Sequence, residues 1–138
     1  GTAAVGSNLF VFGGIGSALL GDLFQYRTSD SSWHALSSPD DGRPGGPTPR
    51  KKLGLAATEA NLVVFGGSDA QHEYLGDAYL FSFEPFGWTN LSASLRGAAP
   101  SARNSHGFTA CAGRFFVLGG FTRAGASGEF FALDTGVM

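Results

Sequence analysis

The segment Leu9–Gly14 reads LFVFGG, and the pattern returns as LVVFGG at Leu62–Gly67 and as FFVLGG at Phe115–Gly120. The second glycine falls at Gly14, Gly67 and Gly120, so each step is 53 residues. Three copies at one spacing are an internal repeat. A repeat of this length confines the chain to folds that stack one supersecondary unit on the next. The apolar run predicts a buried strand. The glycine pair predicts a backbone that turns where a side chain would not fit, leaving the sheet for a loop.

Aligning the chain at this period fixes the rest of the unit. Gly1, Gly54 and Gly107 share a phase and open a small-residue strand A: TAAV, LAAT and FTAC. A short turn leads to strand B, which is the LFVFGG element. Variable loops follow at Ile15–Gly21, Ser68–Gly76 and Phe121–Gly128. Strand C then starts on an acid after glycine (Asp22, Asp77, Glu129) and alternates large apolar residues, such as Phe24 and Tyr26 or Tyr79 and Phe81. Period two is the mark of a strand. Strand D carries Trp-x-x-Leu at Trp33–Leu36 and Trp88–Leu91, and its third copy would fall beyond Met138. A longer loop leads back to strand A. In it Arg43, Pro47 and Arg50 match Arg96, Pro100 and Arg103.

Each unit is therefore read as four short antiparallel strands. The predicted units are residues 1–53, 54–106 and 107–138, the last without strand D. A single four-stranded sheet cannot bury both of its apolar faces, whereas stacked sheets bury them against each other. Units of this size match the blades of a β-propeller. The small residues of strand A suit its crowded inner end, and the aromatics of strands C and D suit its wide outer end.

Four apolar residues, Gly-Gly, an acid-led aromatic strand and then Trp resemble the Kelch repeat family over nearly the whole chain. The resemblance implies an all-β, Kelch-type propeller, incomplete in this chain. It further implies that loops B–C and D–A share one face, which in this family contacts a partner. A closed propeller takes about 4–8 blades. The expectation is therefore a longer chain, or self-association, that supplies further blades.

Composition narrows the function. Charged residues are 14% and the net charge is −2, so neither nucleic acid nor an anionic membrane is an expected partner. No apolar run is long enough to span a bilayer. Cys111 is the one cysteine, which excludes an intrachain disulfide and fits a reducing, cytoplasmic setting. In strand A it reads as a small core residue.

The repeat also sorts residues by role. Those recurring in phase read as scaffold, and polar residues that appear once on variable loops read as contacts. Asp69, His72 and Glu73 on the longest B–C loop, and Arg123 on the third, are such residues. Arg103 and His106 join them because loop D–A shares the expected face. Arg103 recurs with Arg50, however, which also suits a role in bracing the loop. Lys51 and Lys52 read as a solvated turn. Asp69, His72 and Glu73 match no zinc spacing, so no metal or cofactor is expected. Iron-dependent Kelch proteins of plants carry Glu-xxx-Asp-xxx-His. The matching run here is Glu73, Asp77 and Phe81, and lacks the histidine. The expected function is a non-enzymatic module that binds a protein or peptide. The alternatives are an enzyme completed by further blades, or purely structural blades of a larger protein.

Overall fold

The structure, a computed structural model, describes residues 1–135. It is all-β. Strands β1 (Thr2–Val5), β2 (Asn8–Ile15), β3 (Leu19–Arg27) and β4 (Ser32–Ser37) form one antiparallel sheet in chain order. A second sheet repeats it with β5 (Gly54–Ala57), β6 (Asn61–Ser68), β7 (Tyr74–Phe83) and β8 (Phe86–Asn90). The third comprises β9 (Gly107–Cys111), β10 (Arg114–Leu118) and β13 (Phe130–Leu133). Between β10 and β13, β11 (Phe121–Thr122) and β12 (Gly125–Ala126) make a small hairpin. Two four-stranded sheets and, among the described residues, one three-stranded sheet stack without closing on themselves, as an incomplete propeller requires.

Alternation along the strands builds the core. Phe10, Phe12 and Leu23 of the first sheet meet Leu55, Leu62, Val64 and Phe81 of the second. The intervening residues Ala56, Val63 and Leu80 point the other way, toward Phe115. Phe65 and Ala78 do the same toward Val117. Strand β6 is buried on both faces, which is why its central Leu62–Phe65 run is apolar without a break. Each fully buried Phe, Leu or Val contributes roughly 1.5–3 kcal/mol relative to exposure. The inner strands β1, β5 and β9 adjoin. Small side chains permit this approach, and Thr2–Ala4, Leu55–Ala57 and Phe108–Ala110 line one shared recess.

The glycine pairs correct one expectation. In the first two sheets they do not end the strand. The register shifts between Phe12 and Gly14 and between Phe65 and Gly67, and the ladder then resumes as far as Ile15↔Leu19 and Ser68↔Tyr74. The pair is thus a β-bulge inside the strand, and the B–C loops are shorter than expected. Only in the third sheet does the strand stop before the pair, at Leu118. Gly66 and Gly67 have φ of +67° and +106°. A Cβ on Gly66 would lie 2.7 Å from the Arg103 carbonyl, and one on Gly67 2.7 Å from the Lys51 carbonyl. The bulge lets two D–A loops press directly onto β6.

Those loops are bonded through their backbones. Lys51 and Ser68 exchange hydrogen bonds of 3.0 and 2.8 Å, and Asn104 and Phe121 exchange bonds of 3.0 and 2.9 Å. The first loop therefore adds one rung to the second sheet, and the second loop adds one to the β11–β12 hairpin.

The two tryptophans differ. Trp88 sets its ring edgewise against Phe12 and Phe81 and donates from Nε1 to Ser37 Oγ at 2.9 Å, so it seals the first sheet to the second. Trp33 touches Phe24 and Tyr26 of its own sheet and is 61% exposed. It faces away from the second sheet, toward a side where the described residues place no further sheet.

Candidate interaction face

The D–A loops carry the most committed polar side chains. Arg50 is fully buried. Its Nε donates to the Thr48 carbonyl at 3.0 Å, and its terminal nitrogens donate to the Gly66 carbonyl, Thr48 Oγ1 and both Asp77 oxygens. All five guanidinium donors are used. Arg103 repeats the arrangement. It donates to the Ser101 carbonyl and Oγ, the Gly119 carbonyl, Ser127 Oγ and Glu129. Arg103 holds Glu129 below the usual carboxylate range, first through that hydrogen bond. Each guanidinium also lies over an aromatic ring, Tyr79 at 5.5 Å for Arg50 and Phe131 at 5.3 Å for Arg103. The proline-rich loops thus end in arginine clamps that bind the next sheet.

Arg103 is therefore withdrawn from the surface, and its recurrence with Arg50 was the signal of that role. His106 is withdrawn as well. In phase it stands where Leu53 stands, and it packs against Phe65 and Phe108 with Nε2 3.1 Å from the Phe65 carbonyl. A Cβ on Gly66 or Gly120 would lie within 3 Å of this residue. Burial lowers its pKa to about 4, and among the described residues Nδ1 has no hydrogen-bond partner. Neutral, wedged and half-buried, His106 serves as a packing residue.

The other four candidates are on the surface. Asp69 Oδ1 accepts hydrogen bonds from the backbone of Gln71 and Glu73, both at 2.9 Å. It organises its own tight turn, in which His72 adopts φ +63°. Glu73 pairs with Arg123 at 2.5 Å, so a B–C loop of the second sheet joins the corresponding loop of the third. His72 Nδ1 lies 3.4 Å from Lys51 Nζ, which brings in the loop after the first sheet. Lys51 was read as a solvated turn. Its failure to recur was the available sign of a place in this group. Ala18 and Leu19, Thr48 and Pro49, and Asp69–Gln71 border an open groove between the first two sheets on the same side. The result is an edge of mixed charge drawn from all three sheets.

Among the described residues no group of three His, Cys, Asp or Glu side chains could hold a metal ion. Asp77 is bound by Arg50 and Phe81 is fully buried between two sheets. The Glu73, Asp77, Phe81 run is thus divided between surface, clamp and core.

A family model for the KLHDC2/KLHL20/DRC7 Kelch-repeats domain matches residues 1–138. The chain belongs to this Kelch family. Kelch repeats generally serve as protein-interaction modules. Among its relatives, this Kelch domain is 34% identical over 126 residues to dynein regulatory complex subunit 7 of Chlamydomonas reinhardtii, covering 88% of the chain and 10% of that protein. It is 30% identical over 98 residues to acyl-CoA-binding domain-containing protein 4 of Arabidopsis thaliana, covering 70% of the chain and 14% of that protein. It is 26% identical over 141 residues to N-(sulfonatooxy)prop-2-enimidothioate sulfolyase of Thlaspi arvense, covering 98% of the chain and 38% of that protein. The Kelch domain thus spans a minor part of each relative. Among its described residues no helix is long and apolar enough to cross a membrane.

Proposed function

We propose that this Kelch domain binds a protein or peptide segment of mixed charge along the edge formed by Asp69, His72, Glu73 and Arg123, with Lys51 beside them. The observation that carries the reading is the Glu73–Arg123 pair. Two exposed residues that do not recur in the repeat meet across adjacent sheets. An exposed pair of this kind adds little to stability, so the fold does not explain its placement. Rigid sheets hold these loops at fixed separations, which lowers the ordering cost of binding. The role is that of an adaptor or scaffold in a cytoplasmic setting, without catalysis by this segment. Residues 1–53, 54–106 and 107–138 act as successive blades.

Combined replacement of His72, Glu73 and Arg123 by alanine tests the reading. Asp69 is spared because it braces the turn. The expected result is loss of partner capture in a pull-down with the thermal midpoint unchanged. Identical capture by the variant and the parent refutes it.

A further inference from the structure

The clamp that joins the first two sheets has one member at the surface. Arg50 is fully buried, and its Nη2 donates both to Asp77 Oδ2 and to Thr48 Oγ1, each at 3.1 Å. Thr48 is exposed, and among the described residues its own hydroxyl proton has no acceptor. The hydroxyl itself follows from the repeat, since Ser101 stands in phase and accepts from Arg103 Nη2 at 3.2 Å. What does not recur is the residue after it. Thr48 precedes Pro49, whereas Ser101 precedes Ala102. The chain holds one other hydroxyl residue before proline, Ser38. There the backbone is closed into a turn: the Ser38 N–H donates to Asp41 Oδ2, and the Ser38 carbonyl accepts from the Asp41 N–H. Ahead of Thr48, by contrast, residues 43–47 belong to no strand, and Arg43–Gly46 are exposed. A residue before proline favours extended backbone, the shape in which a kinase groove takes up its substrate.

We propose that Thr48 is a phosphorylation site for a proline-directed protein kinase, and that its phosphate competes with Asp77 for Arg50 and loosens the seam between the first two sheets. In the transfer, Thr48 Oγ1 bonds to the γ-phosphorus of ATP, the bond from that phosphorus to the β-phosphate oxygen breaks, and ADP leaves. The hydroxyl proton passes to the general base of the kinase. The product carries close to two negative charges near pH 7. They stand where a neutral hydroxyl accepted one hydrogen bond, beside a carboxylate that shares the same guanidinium nitrogen. Arg50 has no spare donor, because all five are in use. Any bond the phosphate gains beyond the one Thr48 already held is taken from Asp77 or from a carbonyl, and the two anions repel at close range. Thr48 also borders the groove between the first two sheets, so the modification acts at the base of that groove. The inference concerns the clamp and stands whether or not the loop edge proposed above binds a partner.

Incubation of the full chain with ATP and a mitogen-activated protein kinase, followed by peptide mass spectrometry, tests the site. A free peptide of residues 43–52 is the reference substrate. The expected result is phosphate on Thr48 of the folded chain and none on Ser38 or Ser101. Thr48→Val should stay unlabelled at this segment. A peptide that is labelled while the folded chain is not, an unlabelled peptide, or a label on Ser38 in place of Thr48 overturns the proposal.

Thermal unfolding of the phosphorylated and unmodified chains tests the competition. Phosphorylation is expected to lower the midpoint of the parent by about 3 °C or more at low salt. The loss should shrink by about half at about 1 M NaCl, where the screening length falls to about 3 Å. In Asp77→Asn the rival charge is gone, so phosphate on Thr48 should leave the midpoint unchanged or raise it. A phosphate that stabilises the parent, or that costs as much in Asp77→Asn as in the parent, overturns the competition. The salt comparison needs no variant, so it decides the matter even if Asp77→Asn fails to fold, and a loss that salt does not reduce overturns the competition equally.

Discussion

Arg50 lies in the loop after the first sheet, yet its guanidinium contacts Asp77 at the start of β7 in the second, 2.5 Å away and without solvent exposure. Both residues recur, as Arg103 and Glu129, but the surroundings differ. The Asp77 side chain is 29% exposed and that of Glu129 is 62% exposed.

The difference orders the effects of breaking the two clamps. Removing one partner of a buried pair leaves an uncompensated charge and costs about 3–5 kcal/mol. Asp77→Ala is expected to approach the lower end of that range in urea unfolding. Glu129→Ala should cost clearly less, because water already solvates its carboxylate. Arg50→Lys should not rescue the clamp, since an ammonium cannot span both Asp77 oxygens together with the Thr48 and Gly66 carbonyls. Equal losses at Asp77 and Glu129 would contradict this account.

His106 introduces a pH dependence of defined sign. Its folded pKa is lowered to about 4 from the ordinary histidine value of 6.5, chiefly by burial. The unfolded chain therefore binds the proton more readily. The stability tied to the neutral ring is complete above about pH 6.5 and is lost as the pH falls toward 4. His106→Leu, which copies Leu53, should flatten the midpoint between pH 6.5 and 4.5 relative to the parent. Thermal unfolding across that window measures it, and parallel curves for the two proteins would exclude His106 as the titrating group.

The glycine bulge predicts a contrast between two glycines. Gly67→Ala places a Cβ 2.7 Å from the Lys51 carbonyl in a left-handed backbone, and should cost about 2 kcal/mol or more. Gly6 also has positive φ, +56°, but its added Cβ would meet open space. Gly6→Asn should therefore change stability by no more than about 0.5 kcal/mol. Denaturant midpoints of the two variants separate close approach from backbone angle as the cause.

On the loop edge, Arg123→Ala and Glu73→Ala should each leave urea stability within about 0.5 kcal/mol of the parent, because their pair is solvent-exposed. A loss above 1.5 kcal/mol in either would place the pair in the scaffold rather than on a binding surface.

The repeat made much of the fold legible. The phase of the apolar runs locates strands A to D, since stacking demands the same packing in each unit. The role of Gly-Gly was not legible. A bulge and a strand end require the same backbone freedom, and what separates them is the neighbouring loop, which comes from another unit. His106 was misjudged for a related reason. Non-recurrence marks a contact only where the position is exposed, and His106 is half-buried at the packing position of Leu53. Arg103 shows the converse: a charged residue on a loop is read as exposed until its donors are counted. Asp69, Glu73 and Arg123 were legible as unrepeated polar residues, but the meeting of Glu73 with Arg123 depends on sheet spacing that no single unit contains.

The Lys51–Ser68 and Asn104–Phe121 rungs bear on how such an array comes apart. The first ties a segment outside its own sheet to a strand of the second sheet and the second ties one to the hairpin of the third repeat, so neighbouring repeats cannot separate while the rungs are intact. In a solenoid-like stack, this raises the nearest-neighbour term at the expense of independent unit melting. The amide protons of Lys51, Ser68, Asn104 and Phe121 should then exchange with solvent only when two adjacent sheets open together, at rates matched across the seam. Residues that a sequence alone assigns to linkers would thus report the cooperativity of the whole stack.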